Sequence, residues 1–149
     1  MTRIDYFKHQ PELITQLRAI TQGQEDFHLD GKLRALVELR VSQINGCAYC
    51  TDLHSREARA RGEGQSRLDS LPVWRESPFF DDREKAALAW AESLTLIADT
   101  HAGDAEYLAL LKHFSEDDVV ELSLSVALAN FWNRMAGGFR KAPAKSDQV

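Results

Sequence analysis

The chain has 149 residues, 44% of them hydrophobic and 28% charged, which is enough for one domain with a single core. With 23 acidic against 18 basic residues, its formal net charge of -5 excludes the basic face of a general nucleic-acid or anionic-membrane binder. The N-terminal residues have no apolar core of signal-peptide length, and no apolar run reaches membrane-spanning length. The longest such run, Val119 to Trp132, is interrupted by Glu121, Ser123, Ser125 and Asn130, so a cytoplasmic location is expected.

The periodic segments all read at helical spacing, which predicts an all-α chain. A first helix is expected over about Pro11 to Ile20, opened by its proline and stopped near Gly23. A second covers about Asp30 to Ile44, with Leu33, Leu36, Val37, Val41 and Ile44 on one stripe, until Asn45-Gly46 breaks it. A third runs from about Cys47 to Arg61 and ends at Gly62. A short piece around Ser66 to Leu71 leads into an aromatic loop, Trp74 to Phe80. Asp81 and Glu84 have capping-box character, followed by the stripe Ala87, Trp90, Leu94 and Ile97. Asp104 and Ser115 look like N-caps of the last two helices, about 105 to 113 and 116 to 136. The final helix is apolar nearly all round, which predicts that it is the most enclosed. One domain over residues 1–136 is expected, with a mobile tail from 137 to 149.

The chemistry concentrates in Cys47-Ala-Tyr-Cys50-Thr-Asp-Leu-His54, which holds the only two cysteines. At 100° per residue, Cys47, Cys50 and His54 share one narrow strip of a helix. A disulfide here would close only a four-residue loop, where constraint of the unfolded chain stabilises least, so a structural staple is the weak reading. Structural zinc needs four ligands, and no second cysteine pair exists; His28, His101 and His113 have no motif spacing. The pair sits in the first turn of a helix, where free N–H groups and the dipole favour a thiolate. His54, one turn beyond Cys50, can take its proton directly or through one water. Cys47, one turn before, can resolve a sulfenic acid on Cys50 as a disulfide. On geometry Cys50 is the better nucleophile, although in thioredoxin-type motifs the first cysteine attacks.

A carboxylate should orient the imidazole. Glu57 lies at i+3 on the same strip, whereas Glu38 lies on the flank of the preceding helix and could fold back towards it. Arg40 falls inside the apolar stripe, so it needs a buried partner or a place near the thiols. Trp90, Phe131 and Trp132 read as core, and Tyr49 points off the strip towards an interface. Asn130 and Asn133 need buried partners and could line the cavity of the thiols.

The stretch from Glu38 to His54 resembles the core of AhpD-like alkylhydroperoxidases, in the carboxymuconolactone decarboxylase superfamily. Arg56-Glu-Ala-Arg59, Ala87 to Glu92 and Asn130 to Arg134 extend the likeness. The resemblance implies an all-helical fold that assembles into trimers or hexamers. It also implies thiol peroxidase activity on a hydroperoxide, without a cofactor beyond a redox-active Cys47–Cys50 disulfide, re-reduced by a dithiol or lipoyl-type donor. In that pattern Cys50 attacks, Cys47 resolves, and His54 and Glu38 relay the proton. The best-described members carry the glutamate about one turn further upstream, where this chain has Ala35. Two other readings use the same strip: a non-enzymatic redox-sensing or metal-binding module, and a general thiol–disulfide oxidoreductase.

Overall fold

The computed structural model describes residues 2–143, and all regular structure among them is helical. The elements are α1 (Tyr6–His9), α2 (Pro11–Gln22), α3 (Gly31–Ile44), α4 (Ala48–Ala60), α5 (Gln65–Ser70), α6 (Asp82–Thr95), α7 (Ile97–Thr100), α8 (Asp104–Leu110) and α9 (Glu116–Gly138). Two 3-10 turns, Gly23–Asp26 and Leu71–Val73, follow α2 and α5.

Most boundaries follow local chemistry. Pro11 opens α2, Asp30 caps α3 by accepting from the Lys32 and Leu33 amides, and Asp81 and Ser115 form full capping boxes with Glu84 and Asp118. Asp104 is not an N-cap: Gly103 takes that position without a side-chain bond, and α8 is shorter than its periodicity predicts. The single turn α1 is capped by Asp5, which accepts from the Phe7 amide at 3.2 Å, whereas α7 has no side-chain cap.

The most enclosed helix is α3, not α9. Nine α3 residues are buried, including the charged Arg34 and Glu38, and the helix packs against α4, α6 and α9. By contrast, α9 leaves Val120 58% and Leu124 47% exposed. An all-round apolar surface gave α9 no preferred face, whereas the polar residues of α3 are buried because they find ion-pair partners. Leu36, Leu39, Leu88, Leu122 and Val126 centre the core where α3, α6 and α9 meet.

α3 and α4 form a hairpin through Asn45-Gly46, and Gly46 sits at φ 64, a conformation that L side chains rarely adopt. The helical end of the chain lies at Gly138 rather than 136, and Arg3 N–H donates to the Phe139 carbonyl at 2.9 Å. Of the tail expected to be mobile, residues 144–149 lie outside the described part. No described helix is long and apolar enough to cross a membrane.

Candidate thiol site

The left-handed Gly46 turns the chain so that Cys47 becomes the N-cap of α4, with its amide donating to the Ser42 carbonyl at 3.0 Å. Its sulfur accepts from the Cys50 amide at 3.3 Å. The two Sγ atoms are 2.7 Å apart and both thiols are free. A disulfide bond of about 2.05 Å therefore needs less than roughly 1 Å of travel.

Both cysteines are buried, but only Cys50 lines a cavity of about 490 Å³. The cavity is walled by Tyr6 and Phe7 of α1, Arg34 and Glu38 of α3, and Tyr49, His54 and Glu57 of α4. Trp132 of α9 and Lys141 complete it. Cys50 is thus the sulfur on the cavity wall, with Cys47 directly behind it.

The free thiolate expected at this helix start is not favoured at rest. Burial pushes the Cys50 thiol up to about 12, helped by the hydrogen bond with Cys47 and opposed by the Asn133 side chain and the charge of Lys141. The reason is local: the first-turn amide points at the Cys47 sulfur, and Cys50 itself is 2% exposed. Tyr6, buried against the pair, is likewise pushed up to about 12, first by burial and then by the neighbouring Tyr49 and cysteines.

His54 has both carboxylates. Its Nδ1 lies 2.8 Å from Glu57 Oε2 and 3.5 Å from Glu38 Oε2. Burial disfavours the imidazolium, but the Glu57 hydrogen bond and the charges of Glu38 and Glu57 outweigh it and hold the ring above its ordinary value. Glu38 is not on a solvated flank: at 8% exposure it is buried, which raises its carboxyl despite the opposing charges of His54 and Arg34. Arg34 Nε stands 3.9 Å from Glu38, while the rest of its guanidinium binds the Gln24 carbonyl and Glu25.

Arg40 finds its buried partner elsewhere. It binds Glu92 through Nε at 2.9 Å and Nη2 at 2.8 Å, a site that Trp74 Nε1 shares at 2.9 Å. Tyr49 and Trp132 line the cavity, Trp132 on its wall rather than in the core. Trp132 is held there by its indole N–H donating to Thr21 Oγ1 at 2.8 Å. Trp90 does pack in the core, donating to Ser123 Oγ at 2.9 Å. Asn130 and Asn133 do not line the cavity; they bind the hairpin, accepting from Asn45 Nδ2 at 3.0 and 2.8 Å.

Sequence reasoning missed Arg34, Tyr6 and Lys141. An Arg34–Glu38 i,i+4 pair on a buried helix was a readable signal for the first. Tyr6 and Lys141 arrive from outside the motif helices and carry none. Glu38, His54 and Glu57 offer ligand atoms within 4.8 Å of one another, a span a cation could use, yet no thiol joins them. Arg34 stands beside Glu38 of this group, and Glu57 faces the imidazole alone.

The profile of the carboxymuconolactone decarboxylase family matches residues 11–93. The uncharacterised protein YdfG of Bacillus subtilis is 34% identical over 134 residues, 90% of this chain and 91% of that one. A crystal structure of a protein of unknown function from Agrobacterium tumefaciens, described as a candidate antioxidant defence protein AhpD, superposes with a TM-score of 0.95. It is 36% identical and covers 98% of this chain and 100% of its own. The debrominase Bmp8 shares the fold at a TM-score of 0.82 and 20% identity, over 93% of this chain and 75% of its own, so the fold alone does not fix the chemistry. The chain belongs to the carboxymuconolactone decarboxylase family, and its C-x-x-C-x-x-x-H strip places it in the AhpD-like branch.

Proposed function

We propose that the protein is a thiol peroxidase that reduces hydroperoxides through a Cys47–Cys50 dithiol–disulfide cycle. The observation that carries this reading is the paired sulfurs at 2.7 Å, with Cys50 alone facing a cavity that also holds His54, Glu38 and Glu57.

Cys50 loses its proton towards His54, and the thiolate attacks the terminal oxygen of R–O–OH. The S–O bond forms as the O–O bond breaks, leaving Cys50–SOH and an alkoxide. The imidazolium, held charged by Glu57 and Glu38, returns the proton to that alkoxide, giving the alcohol. Cys47 then attacks the sulfenic sulfur, and hydroxide leaves as water with the Cys47 proton. In sum, two thiols and one hydroperoxide give a disulfide, an alcohol and water. A dithiol donor, of lipoyl or similar type, returns two electrons and two protons. Burial of Cys47 and Cys50 fits a small substrate better than a protein disulfide, which favours peroxidase over general oxidoreductase chemistry. Assembly into a trimer or hexamer in the cytoplasm belongs to the same proposal, and the exposed apolar residues of α7, α8 and α9 are compatible with it.

Thiol titration before and after one equivalent of an alkyl hydroperoxide tests the reading. Wild type should lose two thiols and regain them with a dithiol, Cys47→Ser should stop at a sulfenic acid, and Cys50→Ser should not react. Full peroxide turnover by Cys50→Ser would overturn the assignment, and stoichiometric zinc bound through both thiols would overturn the peroxidase reading itself.

A further inference from the structure

We propose that Lys141 is the counter-cation of the Cys50 thiolate, a positioning residue delivered to the cavity by the chain beyond α9. The inference rests on Cys50 being the nucleophile, and deepens that reading by assigning what stabilises its charged form.

The end of α9 is built to place this side chain. The Arg140 amide donates to the Gly137 carbonyl at 3.1 Å and the Lys141 amide to the Ala136 carbonyl at 2.9 Å, the two bonds of a Schellman motif. The left-handed position of that motif is occupied by Arg140 at φ 53, where glycine is the usual residue. The turn so formed sends Lys141 back over α1 and the start of α4. Its Nζ stands 4.2 Å from the centre of the Tyr49 ring, 4.4 Å from Phe7 and 5.8 Å from Tyr6. Three aromatic faces thus hold the ammonium in the wall that Cys50 also lines.

The other charged groups of the cavity are already committed. On α4, Cys47 and Cys50 share a hydrogen bond and the pair His54–Glu57 is closed on itself; on α3, Glu38 and Arg34 face each other and His54. Glu25 holds Arg61 and Arg34, Arg18 lies over Phe7, and Tyr6 of α1 is neutral below pH about 12. Among the described residues, no carboxylate lies within ion-pair distance of Lys141. Its charge therefore acts on the thiol, against the burial that disfavours ionisation.

The test is the pH dependence of Cys50 alkylation by iodoacetamide, a neutral probe, in a full-length Cys47→Ser background whose serine keeps the N-cap. This readout needs no peroxide, so it stands or falls separately from turnover. Lys141→Gln should slow the reaction about threefold to tenfold at about pH 8, where the rate follows the thiolate fraction, with Lys141→Arg restoring it. Circular dichroism checks that each variant is folded. Overlapping profiles for Lys141→Gln and its parent would overturn the assignment. An equal slowing in Lys141→Arg would also overturn it, because the effect would then come from packing rather than charge.

Discussion

His54 Nδ1 hydrogen-bonds Glu57 at 2.8 Å, although Glu57 is the more exposed of its two carboxylate neighbours, with a side chain 45% exposed against 10% for Glu38. The nearer partner is thus screened by solvent, while the farther one acts through a poorly polarisable interior. Both raise the imidazole. Glu57→Gln and Glu38→Gln should therefore each lower the His54 pKa, followed by its imidazole proton shifts in NMR. The effect of losing Glu57 should shrink at high salt and that of losing Glu38 should persist. A Glu38→Gln titration identical to wild type would remove Glu38 from the relay.

The same burial sets the stability of the fold at high pH. Cys50 and Tyr6 are both pushed up to about 12, from ordinary values of 9.0 and 10.0. Between those ordinary values and about 12 the folded chain binds more protons than the unfolded one. Unfolding free energy must then fall as pH rises, because its slope follows the difference in bound protons. The contribution is fully present below about pH 9 and is lost as pH climbs through 12. The melting temperature should fall steeply over that window, and less steeply in Cys50→Ala, whatever that substitution does to absolute stability. Equal slopes would mean that the thiol ionises as readily folded as unfolded.

Most helices were legible because their ends carry caps: Asp30, Asp81 and Ser115 each bond the amides of their own first turn, so the signal is local. The strip Cys47, Cys50 and His54 was legible for the same reason, being fixed by one helix. What was not legible depends on which surface each helix turns inward. Glu38 read as a flank residue because wheel geometry knows nothing of Arg34 and His54 waiting to compensate it. The thiolate expectation failed similarly, since desolvation is set by packing against α1 and α9 rather than by position at a helix start. Lys141 lay in a segment read as a tail, and only the turn after Gly138 brings it to the site.

Arg40 and Glu92 make a second ionic cluster that sequence reasoning could not distinguish from the site. Their side chains are only 16% and 11% exposed, and Glu92 also accepts from Trp74. Arg40→Leu leaves that carboxylate with Trp74 and the exposed Arg75 alone, so chemical denaturation should report a loss of about 2–4 kcal/mol. The alkylation rate of Cys50 should not change, since Arg40 does not line the cavity. A large change in that rate would tie the two clusters together.

The hairpin turn is where stability and reactivity should couple. Gly46 holds φ 64, nothing lies within 4 Å of where its Cβ would be, and so Gly46→Ala meets strain without a clash. That strain is about 1–2 kcal/mol. Asn45, the residue before it, binds Asn133 of α9 at 2.8 Å, and Asn133 in turn donates to Ser42 at 3.0 Å and reaches Cys50. Asn45→Ala leaves the buried Asn133 carbonyl oxygen without that donor, a cost of about 1–3 kcal/mol. It also frees the amide that helps set the Cys50 thiol. Gly46→Ala should therefore lower stability while leaving the alkylation profile in place, whereas Asn45→Ala should lower stability and move the profile. Parallel denaturation and iodoacetamide titrations separate the two. If both variants shifted the profile equally, the turn itself, rather than the Asn45–Asn133 bond, would be what positions the nucleophile.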